Sequence, residues 1–391
     1  MKVFGGKGAE RHKILFYVVV SFFWFSLYAY VPQVTPYADY LGATGTIAGF
    51  IAGAYGFTQM VIRFPLGILS DKLGRRKIFI QLGIVAAIAG GLLPFLFPSP
   101  ITLMIGRGLG GVAASVWVTF TVLGASYYGK DESTKVMGHM SAANAFGRMI
   151  ALLAGALIAH RLGMGYAFLL GGIAGGIGLL ISTGMKEVPP PKDAKSPTLK
   201  GLVEVAANKQ LLFCSILGIL AMYISFATTF GFTPLAATMM DASQLQLGLL
   251  GVLSTAPAIF ISPLAGTVMP QKLGAPVTLA IGFIVAGAGS ALVAVADTLP
   301  LLFAVQITAS IGGAIVATLL LGLCIKDIIP EKRATAMGFF QAVYGLGMFL
   351  GPFVTGHISH GFGLMTAFVF TGVIGLVGAV LAVVFGRGTW R

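Results

Sequence analysis

The sequence predicts an all-α integral membrane protein, with twelve transmembrane helices in two pseudo-symmetric six-helix bundles and both termini in the cytoplasm. Three observations predict it. Hydrophobic residues make up 57% of the 391 positions and charged residues only 9%, far outside the range of soluble globular domains. Apolar segments of about 20 residues, the length that crosses a hydrocarbon core roughly 30 Å thick, recur along the whole chain. Basic residues mark one side: 21 of the 25 Lys and Arg fall in segments on the side of the termini, Arg161 alone falls on the other, and Arg63, Arg107 and Arg148 lie inside apolar spans. That asymmetry places the termini inside and requires an even number of crossings.

The expected spans are 13–36, 44–69, 77–97, 100–126, 135–160 and 164–184, then 210–234, 245–269, 277–297, 300–326, 335–359 and 363–386. Alternating strand patterns are absent, and backbone polar groups in lipid must be satisfied internally, so each span reads as a helix. The first is too long for a signal h-region and lacks an evident small-residue cleavage site, so it reads as a retained helix. Cys214 and Cys324 both fall inside spans and read as packing residues. The net charge of +13 follows membrane sidedness and does not point to nucleic acid.

Between the sixth and seventh spans, KEVPPPKDAKSPTLKGLVEVAANK replaces apolar residues with prolines and lysines. It reads as a linker with a short surface helix in its second half. The expected organisation is therefore a first bundle at 1–185, a cytoplasmic linker at 186–209 and a second bundle at 210–391. Sliding one half over the other by 200 residues aligns Lys72, Leu73 and Gly74 with Lys272, Leu273 and Gly274, and Pro100 with Pro300. The same shift aligns Met137 and Gly138 with Met337 and Gly338, Gly147 with Gly347, and His160 with His360. A constant offset across loops and helices implies two homologous halves.

The loop GILSDKLGRRK, residues 67–77, sets one acid and four bases between two apolar spans. Gly67, Leu69, Asp71, Gly74, Arg75 and Arg76 match the signature G-x-L-x-D-x-x-G-R-[RK]. With two like-oriented halves and a basic linker, the chain resembles the major facilitator superfamily of secondary transporters over its whole length. The resemblance implies alternating access around a central cavity, lined by helices one, two, four, five, seven, eight, ten and eleven, while three, six, nine and twelve face lipid. It also implies a latch on the cytoplasmic face. Asp71 would lie near the start of the eleventh helix and pair with Arg75, with Arg76 beside them and with Gly67 and Gly74 allowing close backbone approach. The repeat copy, Gln271 to Pro276, has lost the acid and the arginine. The family's fifth-helix antiporter signature is eroded at 151–156, whereas the eleventh helix keeps Gly351, Pro352 and Gly356.

Ionisable groups buried in a membrane are functional candidates. Arg107 lies about 10 Å below the outer end of the fourth span, and Arg148 lies near the midplane of the fifth. Arg107 also resembles the family's fourth-helix arginine, implied there in proton coupling. Two readings of Arg148 stand at this stage: a guanidinium satisfied by carbonyls and by Asn144 one turn earlier, or a substrate contact. All twelve Asp and Glu residues fall in loops or at helix ends. Two arginines facing a cavity without a carboxylate would suit a carboxylate or phosphate ligand. The remaining candidate contacts are Tyr28, Tyr55 and Gln59, beside Trp24, in the first half and Tyr223, Gln341 and Tyr344, beside Phe226, in the second. The expected function is transport of a small organic anion; a multidrug or amphipath exporter of the same fold is the alternative. No clustered catalytic set or metal-ligand spacing suggests an enzyme, and no cofactor or metal is expected. The expected setting is a monomer in a prokaryotic cytoplasmic membrane, with membrane lipid, a small-molecule substrate and a proton as candidate coupling ion for partners.

Overall fold

The computed structural model describes residues 7–128, 133–188, 204–329 and 332–386. Among the described residues, twelve helices are long and apolar enough to span a bilayer: α1 Glu10–Tyr40, α2 Gly45–Ser70, α3 Arg76–Leu96, α4 Pro100–Ser126, α5 Val136–Leu162 and α6 Met164–Thr183, followed by α7 Lys209–Thr238, α8 Gln244–Gly266, α9 Ala275–Val295, α10 Leu299–Leu323, α11 Thr335–Phe362 and α12 Leu364–Val384. Their starts are locally encoded. Ser99 and Thr102 form a reciprocal capping box ahead of α4, with Pro100 at the first helical position, and Ser243 and Gln246 do the same for α8. Asn208 accepts from the Leu211 amide at 2.9 Å to start α7. In the linker, residues 204–206 are helical, while 189–203 lie outside the described residues.

The 200-residue repeat is written into the backbone. Positive φ recurs at Gly74 and Gly274 (61° and 79°) and at Gly163 and Gly363 (111° and 86°). α1 is interrupted by a 3-10 turn at Val31–Gln33 and α7 by a π-turn at Thr228–Phe232. A side chain at Gly147 would run into the Ser21 carbonyl, and one at its mate Gly347 into the Ile219 carbonyl. α5 therefore crosses α1 as α11 crosses α7, backbone against backbone.

α3 packs on α6 and α9 on α12 at the periphery, while α2 packs along α11 between the halves. The end of the molecule that carries the linker is tied by polar contacts. Lys77 Nζ donates to the Thr183 and Met185 carbonyls at 2.6 and 2.8 Å, and the Lys77 amide donates to Glu187 at 2.7 Å. These bonds satisfy exposed helix-end groups of α6 and α3 together. Tyr127 donates to the Lys186 carbonyl at 2.5 Å; burial, with Glu187 nearby, pushes its phenol pKa up.

At the opposite end one apolar cluster draws on both halves, joining Tyr30, Val34 and Ile51 to Phe232, Leu247 and Val305. Two further clusters nearer the linker are drawn mainly from one half each. The halves thus meet far from the linker and part toward it. Gly45, Gly53 and Gly56 of α2 abut Gly356, Phe349 and Met348 of α11, where an added Cβ would come within 3.0, 2.9 and 2.6 Å. Thr35 Oγ1 donates to the Gly231 carbonyl at 2.6 Å across the same end.

Two of the expected latch glycines can be placed in this structure, in which the linker ends of the halves stand apart. Gly67 makes no close approach, because a Cβ there would meet nothing within 4 Å: it lies past the point at which the halves separate. Gly74 serves instead as a left-handed turn residue between α2 and α3. The expected Asp71–Arg75 pairing falls on an Asp71 side chain outside the described residues.

Candidate functional site

The parting of the halves leaves a cavity of ≈ 690 Å³ between α5 on one side and α7, α8, α9 and α10 on the other. Most of its wall is apolar. The polar groups on it are Arg148 and Ser141 of α5, Ser225, Thr228 and Thr229 of α7, Ser254 and Thr255 of α8, and Ser310 of α10. Contrary to the expectation that α9 faces only lipid, Phe283 and Ala286 reach the wall. The cause is close packing: Gly282 and Gly289 of α9 bring it against Val316, Ile315 and Ala309 of α10, leaving no bulk between α9 and the cavity.

Arg148 projects from the middle of α5, half-buried. Its guanidinium carbon lies 4.2 Å from the centre of the Tyr28 ring, a cation–π contact that orients the charge. Tyr28 is in turn held by Trp24 at 5.8 Å and, from the second half, by Phe230 at 6.2 Å. Arg148 Nε and the buried Asn144 Oδ1 have no hydrogen-bond partner. Asn144 therefore does not neutralise or bond the arginine, and among the described residues no carboxylate pairs with it.

Arg107 occupies a different place. It is 3% exposed on α4, with its guanidinium 4.8 Å from the Tyr55 ring centre, and Tyr55 stacks at 6.1 Å on Phe226 of α7. This set lies between the halves, off the cavity wall. Gln59, one turn after Tyr55 on α2, is buried; its backbone carbonyl accepts from Ser115 Oγ at 3.4 Å, while its side-chain Oε1 has no hydrogen-bond partner. Tyr223 is buried in α7, while Tyr344 packs edge-on against Phe340 at 5.2 Å. Gln341 is engaged elsewhere: its Oε1 accepts from Arg63 Nη1 at 2.8 Å. The sequence candidates thus divide into one group around Arg148 at the cavity and a second between α2, α4, α7 and α11.

Two residues were not singled out from sequence. Arg63, 5% exposed on α2, links the halves through Gln341 and also donates to the Ala114 carbonyl at 3.5 Å. Gln306, fully buried on α10, donates to Thr229 Oγ1 at 2.6 Å and to Ser310 Oγ at 3.4 Å, which positions two hydroxyls on the cavity wall. The signal for both was a polar side chain inside an apolar span. Among the described residues, no group of three or more His, Cys, Asp or Glu could hold a metal ion.

The sequence model of the major facilitator superfamily matches residues 14–325 and 216–389. The chain belongs to the major facilitator superfamily. It is 26% identical to the inner membrane transport protein YajR of Escherichia coli over 368 residues, covering 92% of this chain and 78% of that one. It is 23% identical to an uncharacterized MFS-type transporter of Methanocaldococcus jannaschii over 361 residues, 90% and 92% of the two chains. Among solved structures, a bacterial homolog of the human lysosomal transporter Spinster, in an inward-facing and unoccupied conformation, superposes with a TM-score of 0.83 at 15% identity, over 99% of this chain and 98% of that one. As a superfamily member with twelve spanning helices, this protein is a multi-pass membrane transporter.

Proposed function

We propose that this transporter moves a small organic anion by alternating access, with Arg148 as the anchor for the negative group. The observation that carries the reading is a half-buried guanidinium on the cavity wall, oriented by Tyr28 and without a carboxylate partner among the described residues. A cation so placed in a low-dielectric site is compensated when a carboxylate or phosphate arrives, and a guanidinium can grip either one bidentately. Asn144, with a free Oδ1, and the hydroxyls held by Gln306 supply polar contacts to the rest of the ligand.

In this reading the cavity opens to the cytoplasm, because the basic segments share the linker's end. The bodies 1–185 and 210–391 rock about the site on the 186–209 linker, and Asp71 with Arg75 and Arg76 latches the cytoplasmic ends when the cavity opens outward. Arg107, set against Tyr55 and Phe226 between the halves, supports the site electrostatically and responds to the rocking. A proton is the candidate coupling ion, and a monomer in a prokaryotic cytoplasmic membrane is the working form.

The test is uptake into vesicles by wild type, Arg148→Ala and Arg148→Lys, against panels of organic anions and of cationic amphipaths. Anion uptake is expected in the wild type, to be lost in the alanine variant and partly kept in the lysine variant. Full anion uptake by Arg148→Ala removes the assignment. Export of cationic compounds indifferent to the arginine would favour a multidrug exporter.

A further inference from the structure

The two seams between the halves are of unequal length. Along α2 and α11, contact runs from Gly45 against Gly356, through Met60 against Gly345, to the Arg63–Gln341 hydrogen bond. That is 18 residue steps along α2, about 27 Å at 1.5 Å per step. Along α5 and α8, Ala156 meets Gly248 and Leu152 meets Gly251, and Leu152 stands ten residues, about 15 Å, from Leu162 at the far end of α5. Beyond Gly251, α8 breaks at Ser254–Ala256, ahead of Pro257, and its second part packs chiefly on α10. The halves are therefore closed against each other along α2 and α11, away from the cavity, whereas the α5/α8 seam, whose residues line the cavity, is the looser of the two. At the looser seam, Phe146 of α5 and Ile259 of α8 line the cavity and are also 60% and 63% exposed. Both residues lie within the membrane-spanning segments α5 and α8.

On this geometry, and on the reading of Arg148 as anion anchor, we infer that the substrate is an anionic amphipath that enters sideways from the leaflet on the linker side. Its charged head sits on Arg148 and its apolar tail passes between α5 and α8. The two ends of the path differ in kind as the two ends of such a molecule do. The head meets the Arg148 guanidinium on the wall, while the tail runs past Met149, Phe146 and Ile259 in apolar surroundings, so the passage strips water chiefly from the head.

The test uses the full-length protein in lipid nanodiscs with two probes sharing a head group, butyl phosphate and decyl phosphate. In wild type, decyl phosphate is expected to bind more tightly than decyltrimethylammonium, and Arg148→Ala to weaken both phosphates. Ala145→Trp, which adds bulk beside the α5/α8 gap, is expected to lower the ratio of decyl to butyl affinity at least tenfold. An unchanged ratio, or tighter binding of the ammonium probe, overturns the inference. Should Ala145→Trp not fold, a fluorophore on Phe146→Cys provides an independent measure, since Cys214 and Cys324 are buried. Brominated lipids should quench that fluorophore, and absence of quenching overturns lateral entry. Arg148-dependent butyl phosphate binding without these effects would sink this inference alone, whereas phosphate binding indifferent to Arg148 would sink the anion reading beneath it.

Discussion

The two halves share a backbone plan but not a charge plan. Arg63, Arg107 and Arg148 stand inside the first half; at an offset of 200 the second half has Pro263, Ile307 and Met348. Backbone irregularities have also diverged in places. α2 is one unbroken helix over the same stretch where α8 breaks at Ser254–Ala256, whereas α4 breaks at Val116 and its counterpart α10 is unbroken. Duplication thus supplies a frame in which each helix has a structural double. Electrostatic identity is laid on one copy, leaving the facing wall to provide hydroxyls and apolar surface. On the anion reading proposed above, a cavity charged on one side only gives the ligand a defined orientation, with its negative end toward α5.

The strongest way to break this comparison is to exchange the chemistry at one matched pair. Arg148→Ala is expected to lower anion transport by about 300-fold, or about 3.4 kcal/mol, the scale of truncating one member of a buried charged contact. Its mate Met348→Leu, which conserves volume and polarity, should change transport less than about threefold. Initial rates in vesicles measure both. Comparable losses at the two positions would mean that the asymmetry of charge is not an asymmetry of function.

Much of the frame was legible in the sequence because bilayer thickness fixes span length and glycine turns fix where spans end. The twelve spans and the 200-residue offset rest on those local constraints, and the positive-φ positions fall on the same offset. The neighbours of buried polar groups were not legible. The Arg63–Gln341 bond joins residues 278 apart, and Arg107 reaches Tyr55 on another helix. Both depend on how each helix is rotated about its axis, which hydropathy does not encode when most faces are apolar. Gly67 in open space shows a further gap, since close approach at that position depends on which end of the molecule is closed. The glycines at 45, 49, 53 and 56 were a usable signal for the α2/α11 seam, because their spacing lays four side-chain-free positions along one helix face.

Arg63 and Gln341 offer a second, smaller test of the charged half against the uncharged one. Gln341→Leu leaves a buried guanidinium with only the Ala114 carbonyl at 3.5 Å, and is expected to cost about 2 kcal/mol of stability. Arg63→Leu strands only a neutral amide and should cost about 1 kcal/mol. The double variant should be no worse than Gln341→Leu alone, because removing the charge removes the reason the loss is expensive. Thermal unfolding of the detergent-solubilised protein reads all three. A larger loss for Arg63→Leu than for Gln341→Leu would show that the arginine acts by packing and not through its unpaired charge.

The smallest effect is expected where the halves are most alike. Gly163 has φ 111° and ψ 158° ahead of α6, and Gly363 has φ 86° and ψ 154° ahead of α12, a region that residues with a side chain rarely enter. At both positions an added Cβ would meet nothing within 4 Å, so the cost of Gly163→Ala or Gly363→Ala is purely conformational, about 1 kcal/mol each. With no shared neighbours the two costs should add. Equal and additive shifts in thermal unfolding would mark these turns as the conserved frame. A clearly larger shift at one of them would mean that the two bundles differ in backbone tolerance as well as in charge, and that the divergence between them extends to the turns that set their helices.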